Sequence, residues 1–520
     1  MNSIKVVTGD NVYDLLQETW FQQKWDELYS QCSWATAFQS RPFVSNWYVY
    51  SMNDFLPILV YSLRDNQLEG LLAVTTPHTK SEDLELRNNR ARIVGAGGYD
   101  AEYQVWISSS QEKGNDFIDK AIRKLAEAFP AHDIMFRFIP PKSPLEWLKS
   151  TKFWKTKHVL QPYARPFMEM KDPQIQKIFK KRGYKLKVNR LKRLGNLEFR
   201  KITDLEEFTD LVGELVTQYD FRQGAMFNKV SYKGKPDKTK LLIELFKASL
   251  LHVTVLYLSG EIIASIIAVK DSKWAHLGGI NTHSPFYAPY SPGFIHFIML
   301  GEQLIKDDIA LFDLTPGGDA YKERLATGYD EVYELLITHS QSYFVKRRLR
   351  KLVHDKLVNS GKRPMLVELQ LKRKILDTKR KAFSYKTKLA NLVTRTRTSK
   401  QSVPLGSKQL KTPINIQKNS LSQLLEFEQS STLSRWEFLE TAMKNFEEGK
   451  HSFTSSIDEI LMACAWVQPE GCQNGDGNTD MRLNIDQIYI HPSAPFSVQD
   501  FLDRVKEELE VSNMQSEPAN

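Results

Sequence analysis

Two short runs in the middle of the chain carry residue types suited to holding an anion and moving a proton. They are Tyr290-Ser291-Pro292-Gly293-Phe294 and the stretch from Asp313 through Thr315-Pro316-Gly317-Gly318 to Tyr321-Lys322. In the first, Pro292 sets its own φ near the helical value and Gly293 has no side chain. An apolar helix opening there leaves backbone N–H groups without intrahelical partners. Backed by the helix dipole, such donors suit a pyrophosphate, although a proline in the first turn is also an ordinary way to start a helix. In the second run, a strand is predicted to end at Asp313, and a Pro-Gly-Gly turn leads into a short helix. Polar groups just beyond a strand's carboxyl end lie where α/β sheets usually bind ligands.

These residues support a limited acid–base set. Asp313 is a candidate general base or, equally, a carboxylate capping the Gly317-Gly318 turn. Tyr321 is a candidate acid for a leaving group or a ring packed on the sheet, and Lys322 a candidate anion holder or a surface lysine. Arg222 and Gln223, just after Tyr219-Asp220, are positioned to reach a substrate or to form a stabilising ion pair. His276 and His283 flank one strand and loop, as bases or as satisfied structural histidines. The run Gly95-Ala96-Gly97-Gly98-Tyr99-Asp100 lacks GxGxxG spacing, which argues against a dinucleotide site. Cys32, Cys464 and Cys472 show no metal-site spacing, so the chemistry is expected to be metal-free and the compartment reducing.

The elements that position these residues follow from hydrophobic periodicity. In the first part, helical patterns around Leu15 to Leu28 precede strands at 56–63 and 71–76, joined by Arg64-Asp65-Asn66-Gln67. A glycine loop, a helix over 116–128 and a strand over 133–138 come next. A second part repeats that order. It has a basic helix near 184–194, helices over 205–219 and 241–248, and strands 253–258 and 262–269 joined by Ser259-Gly260-Glu261. A strand from Trp274, the helix from Phe294, a strand 309–314, a helix 320–326 and a strand 332–338 complete it. This is a mixed sheet with flanking helices, an α/β (α+β) architecture. The predicted bounds are 1–170 and 171–340 for the two lobes, 341–420 for a basic helical segment and linker, 421–512 for a small α/β unit, and 513–520 for a disordered tail.

A chain of 520 residues exceeds what one core sustains. Its net charge of +9 is segregated: 171–200 holds 11 basic and 2 acidic residues, and 341–400 holds 19 and 3. The latter segment is expected to face solvent, an anionic partner or a membrane surface. Its few aromatics argue against specific nucleic-acid binding. Without a leader-like start or a membrane-length apolar run, the sequence predicts a soluble, cytoplasmic protein.

Tyr290-Ser291-Pro292-Gly293, Phe312-Asp313-Leu314 with Gly317, Tyr321-Lys322, Gly260 to Ala264 and the basic helix Lys181 to Leu194 together resemble the GNAT-type acetyltransferases of the CelD-like or BioF2-like kind, which are related in fold to FemAB-type transferases. Phe43 to Trp47, Gly95 to Gly98 and Glu102-Tyr103 also fit, so the resemblance spans about 20–340. It implies tandem GNAT lobes and transfer of an acetyl or other acyl group from acyl-CoA to an amine or hydroxyl of a sugar or polysaccharide precursor. Ser291 to Phe294 would then bind the CoA. Gly98, Tyr99, Glu102 and Tyr103 would wall the acceptor site; Arg222, Gln223 and His283, read from the residues themselves, are the further candidates for binding the acceptor. The usual Gln/Arg-x-x-Gly-x-Gly/Ala loop is missing. In the C-terminal unit, Ile488 to Pro492 resembles the strand entering that loop, but Ser493 to Ser497 replaces the loop, which reads as a degenerate unit. An aminoacyl-tRNA-dependent transferase and a non-catalytic scaffold are the competing readings.

Overall fold

Turn residues decide where the strands pair. In the computed structural model, which describes residues 3–78, 91–150, 152–375, 378, 414–430, 433–468 and 484–514, Asp65 and Asn66 both take positive φ, 47° and 61°. This is the backbone of a two-residue hairpin whose twist matches its strands. Ser259 and Gly260, at 50° and 87°, make the second predicted hairpin the same way. A third, at Asp458 and Glu459, joins His451–Ile457 to Ile460–Gln468.

The chain forms two compact units. The first comprises Met1–Gly213, Lys235–Thr282 and Tyr290–Lys362, the second Glu214–Gly234, His283–Pro289 and Arg363–Asn520. In the first, β1 (Ser3–Thr8), β2 (Phe55–Arg64), β3 (Gln67–Pro77), β4 (Arg92–Gly95), β5 (Ile107–Ser108), β6 (Asp133–Ile139) and β7 (His158–Glu169) are followed by β8 (Leu197–Ile202), β9 (Leu251–Leu258), β10 (Glu261–Lys270), β11 (Trp274–His283), β12 (Leu311–Asp313) and β13 (Gly328–Ile337). They build one 13-stranded sheet in the order β1-β2-β3-β4-β6-β13-β7-β12-β11-β10-β9-β8, with β5 against β3.

The two halves expected from the sequence are therefore joined edge to edge. β13, the last strand of the second half, lies between β6 and β7 and pairs antiparallel with both. Along β7 its register runs without a break from Gly328 opposite Phe167 to Ile337 opposite His158. β7 carries Pro162 and Pro166, which cannot donate to a ladder. It tolerates them because β12 pairs only with residues 167–169, leaving the proline stretch with a single partner strand.

Packing follows apolar periodicity. The helix Pro292–Lys306 buries Ile295, Phe297, Ile298, Leu300 and Leu304 against Met168, Phe312 and Leu314. Every residue of β9 is buried. In the second unit, Gln417–Lys418, His451–Ile457, Ile460–Gln468 and Asn484–Ile490 form a four-stranded sheet. Its core takes in Phe221 and Ala225 with Phe427, Phe438, Phe446 and Trp466. The Phe427 and Phe438 rings stack at 4.1 Å, and Trp436 Nε1 donates to the Ala225 carbonyl at 3.0 Å. The predicted 471–479 loop, Cys472, 401–413 of the linker, most of the basic segment beyond 375 and 515–520 of the tail lie outside the described residues.

At Gly279 on β11, a Cβ would lie 2.0 Å from the Ile267 carbonyl oxygen, a backbone atom that cannot swing aside. Gly279→Ala is therefore expected to destabilise the chain by about 1–3 kcal/mol, seen as a lower urea midpoint with an unchanged slope.

Candidate active site

Asp313, the last residue of the short β12, has no exposed surface. The register sets His276 of β11 on one side of it and Phe167 of β7 on the other. Arg165, two residues from Phe167 and hence on the same face, stands opposite Asp330 of β13. Asp330, Arg165, Asp313 and His276 thus form a polar row across four adjacent strands, spanning the join between the two halves of the sheet.

The row is held by charge-assisted bonds. Arg165, fully buried, forks onto Asp330 with Nε–Oδ1 at 2.7 Å and Nη2–Oδ2 at 2.5 Å, and its Nη1 lies 3.8 Å from Asp313 Oδ2. The same Asp313 oxygen accepts from His276 Nδ1 at 2.8 Å and from the Tyr103 hydroxyl at 2.5 Å. Oδ1 takes the Thr315 N–H at 2.8 Å. Burial alone would raise the Asp313 pKa. The His276, Arg165 and Tyr103 contacts outweigh it and hold the carboxyl below its ordinary 3.8. Asp313 therefore serves as a fixed anion that orients its neighbours. His276 gives Nδ1–H to it and points Nε2, without a hydrogen-bond partner among the described residues, the other way. Phe38, Tyr103 and Trp274 surround that imidazole, with centroids 5.5, 5.4 and 5.9 Å away. Burial first, then Asp313, pushes the Tyr103 phenol well above its usual range.

Lys322 lies in the short helix Ala320–Leu325 and is buried, not on the surface. Its Nζ donates to the Thr315 carbonyl and hydroxyl, both at 3.1 Å. Burial lowers its pKa against the pull of Asp319, Glu102 and Asp313. Glu102 is also buried and pairs with Arg137 at 3.3 Å. Tyr321 packs its ring on Phe297 at 5.0 Å.

The structure thus gathers Asp313, Lys322, Tyr103 and Glu102 of the sequence-derived set. Gly98, at φ 49°, belongs to a turn tied by Gln104 Nε2 to the Gly98 carbonyl at 2.7 Å and by Asp100 to Trp47 Nε1 and Lys238. Tyr99 projects from that turn and is 65% exposed. Arg222, Gln223 and His283 belong to the second unit. There Asp220 caps the N–H groups of Ser231, Tyr232 and Lys233. Burial, and after it the Arg222 guanidinium, lowers His283 to about 3.

The Ser291–Phe294 corner differs from its sequence reading in one physical respect. Ser291 takes a left-handed φ of 58°, and its carbonyl accepts the N–H groups of both Phe294 and Ile295. Pro292 has none, so Gly293 supplies the first-turn donor outside these bonds. A side chain supplements it: Lys187, from the helix Arg182–Lys192, reaches Ser291 Oγ at 2.7 Å and lies 5.9 Å from the Phe294 ring. The corner fits a phosphate through an ammonium, a hydroxyl and one N–H rather than through a backbone cradle. Among the described residues, no group of three or more His, Cys, Asp or Glu is placed to hold a metal ion.

Removing Asp313 would strand Arg165 without one of its counter-charges. Asp313→Ala is expected to cost about 3–5 kcal/mol in urea denaturation. Because the folded pKa lies below 3.8, the carboxylate's contribution is complete above that value and lost as pH falls through the depressed one. The stability difference between wild type and variant should therefore shrink only in that acid range.

No sequence relative is found among curated proteins. A family model described as an acetyltransferase (GNAT) domain matches residues 180–323. Among solved structures, FemX aligns at TM-score 0.43 and 10% identity over 62% of this chain and 98% of its own. A tandem GNAT protein from the clavulanic acid biosynthesis pathway aligns at 0.36 and 10%, covering 65% and 98%. L-PGS from Bacillus licheniformis aligns at 0.38 and 11%, covering 64% and 96%. The matched span begins at the basic helix and ends one residue beyond Lys322, so the stretch similar to a GNAT acetyltransferase domain takes in both the Ser291 corner and the Asp313–Lys322 turn.

Proposed function

We propose that the chain transfers an acetyl or other acyl group from acyl-CoA to an amine or hydroxyl of a sugar or polysaccharide precursor. The observation that carries this reading is the coincidence of the GNAT-domain match with the buried Asp313–Lys322 set at its end. The sugar class rests on the CelD-like resemblance of the motifs.

Acyl transfer needs a neutral nucleophile, a place for its proton and modest help for a thiolate leaving group. Lys187, Ser291 and the Gly293 N–H hold the donor's phosphates. Lys322, its ammonium disfavoured by burial, receives the proton lost as the acceptor nitrogen or oxygen bonds the acyl carbon and the carbon–sulfur bond breaks. Asp313 keeps Tyr103 and His276 in place, and Tyr321 closes the wall beside Lys322. Glu102, with Gly98 and Tyr99 on the neighbouring turn, contributes to the acceptor side.

Two measurements test the reading. Isothermal titration with acetyl-CoA should show binding that weakens about tenfold in Lys187→Ala, the loss of one charge-assisted contact. No binding by the wild type, with retention of aminoacyl-tRNA instead, would replace acyl-CoA as donor. With amino sugars as acceptors and thiol release as readout, kcat/KM should climb with pH. Its inflection should lie below lysine's ordinary 10.5, because only neutral Lys322 accepts a proton. Lys322→Met should lose that inflection. An unchanged profile would remove Lys322 from the reaction.

A further inference from the structure

The helix Gln341–Asn359 is mounted with its polarity reversed. Among its residues none is fully buried, and four polar side chains reach the sheet. Arg347 pairs with Glu334 of β13. Lys351 Nζ donates to the Leu160 carbonyl of β7 at 2.7 Å, the Tyr343 hydroxyl meets Arg92 of β4 at 2.7 Å, and the His354 ring lies 5.0 Å from Tyr163. Phe344 and Leu357 are half-buried, but four other apolar side chains go outward: Val345, Leu349, Leu352 and Val353 are 52%, 58%, 64% and 60% exposed. Their spacing places them on one helical face. Lys356 sits on the same face, and Lys346 and Arg348 lie on its two flanks. The segment 341–359 carries six basic residues and one acidic, Asp355, which contacts His354. Beyond it, the helix over 364–375 also exposes Met365, Leu366, Leu371 and Ile375.

A surface helix normally buries its apolar stripe, so four exposed aliphatic side chains in a row mark a face that something else covers. A water-facing role would leave them polar, and a protein core would not be rimmed by unopposed cations. We infer that this helix lies on an anionic lipid surface, with Val345, Leu349, Leu352 and Val353 entering the acyl boundary and Lys346, Arg348 and Lys356 meeting the phosphates. An apolar face flanked by Lys and Arg is the arrangement of helices that lie in a membrane interface. No helix among the described residues is long and apolar enough to cross a membrane, so attachment is peripheral. The polar contacts to β4, β7 and β13 fix the helix to the sheet that carries Arg165 and Asp330, so binding holds that unit at the surface. This inference does not depend on the acyl-transfer reading.

Co-sedimentation of the full chain with vesicles is the test, using phosphatidylcholine alone and phosphatidylcholine mixed with phosphatidylglycerol. The expected result is binding to the anionic vesicles that falls about tenfold or more in Leu349→Glu/Leu352→Glu and with added salt, and little binding to neutral vesicles. Both substituted positions are exposed, so the thermal midpoint should stay that of the wild type. Arg348→Glu offers a second variant that leaves the apolar stripe intact and should weaken binding to anionic vesicles alone. Failure of the wild type to sediment, equal binding to neutral vesicles, or unchanged binding by the double variant would overturn the proposal. So would retention of an acidic protein or RNA through this helix in place of vesicles.

Discussion

A carboxylate with no exposed surface survives only where its lost hydration is replaced. At Asp313 the replacement comes from four directions: Thr315 in the next turn, His276 on β11, Arg165 on β7 and Tyr103 from the first half of the chain. Breaking a buried ionic set costs far more than forming it gains, so its value lies in specifying one arrangement. Tyr103 and Asp313 are 210 positions apart, yet their hydrogen bond exists only if both halves of the sheet are joined in the correct register. A slip of β13 by one residue along β7 would turn Asp330 to the other face and break its fork with Arg165.

The same constraint explains why Lys322 is buried rather than solvated. The turn after Asp313 folds back under the Thr315 N–H bond, and Thr315 offers its carbonyl and hydroxyl to Nζ. An amine with two acceptors, buried near Glu102 and Asp313, has its charged form disfavoured by lost hydration and supported by those carboxylates, with burial the larger effect. The Ser291 corner, proposed above to hold the donor's phosphates, is built differently. Its left-handed Ser291 consumes two helix donors internally, and Lys187 supplies the missing positive charge.

Much of this was legible in the sequence. The hairpins announced themselves through Asp65-Asn66 and Ser259-Gly260, whose side chains or lack of them permit positive φ. Asp313 and Lys322 stood out because a Pro-Gly-Gly turn follows a strand. β7 was hidden: Pro162 and Pro166 argue against a strand interior, and only the shortness of β12 makes them acceptable. With β7 went Arg165, a lone arginine in a stretch with no readable period. Asp330 was equally silent, since its meaning comes from a partner 165 positions away. Lys187 belonged to a visible basic helix, but nothing local distinguished it from its neighbouring lysines. The β1 strand was passed over because six residues at the start of the chain give too short a pattern.

The position of β13 also sets a schedule for assembly. Until residues 328–337 are available, β6 and β7 have no strand between them, and each presents an open edge of unpaired N–H and C=O groups. The sheet cannot be completed by local steps, because its middle is the strand of the first unit that arrives last. Long-range closure of this kind is slow and leaves half-sheets exposed while the chain is still incomplete. The prolines of β7 act on its other edge: the Pro166 carbonyl faces Leu314 on the β12 side, so the missing N–H groups deny neighbouring chains a regular ladder along the stretch that β12 leaves unpaired.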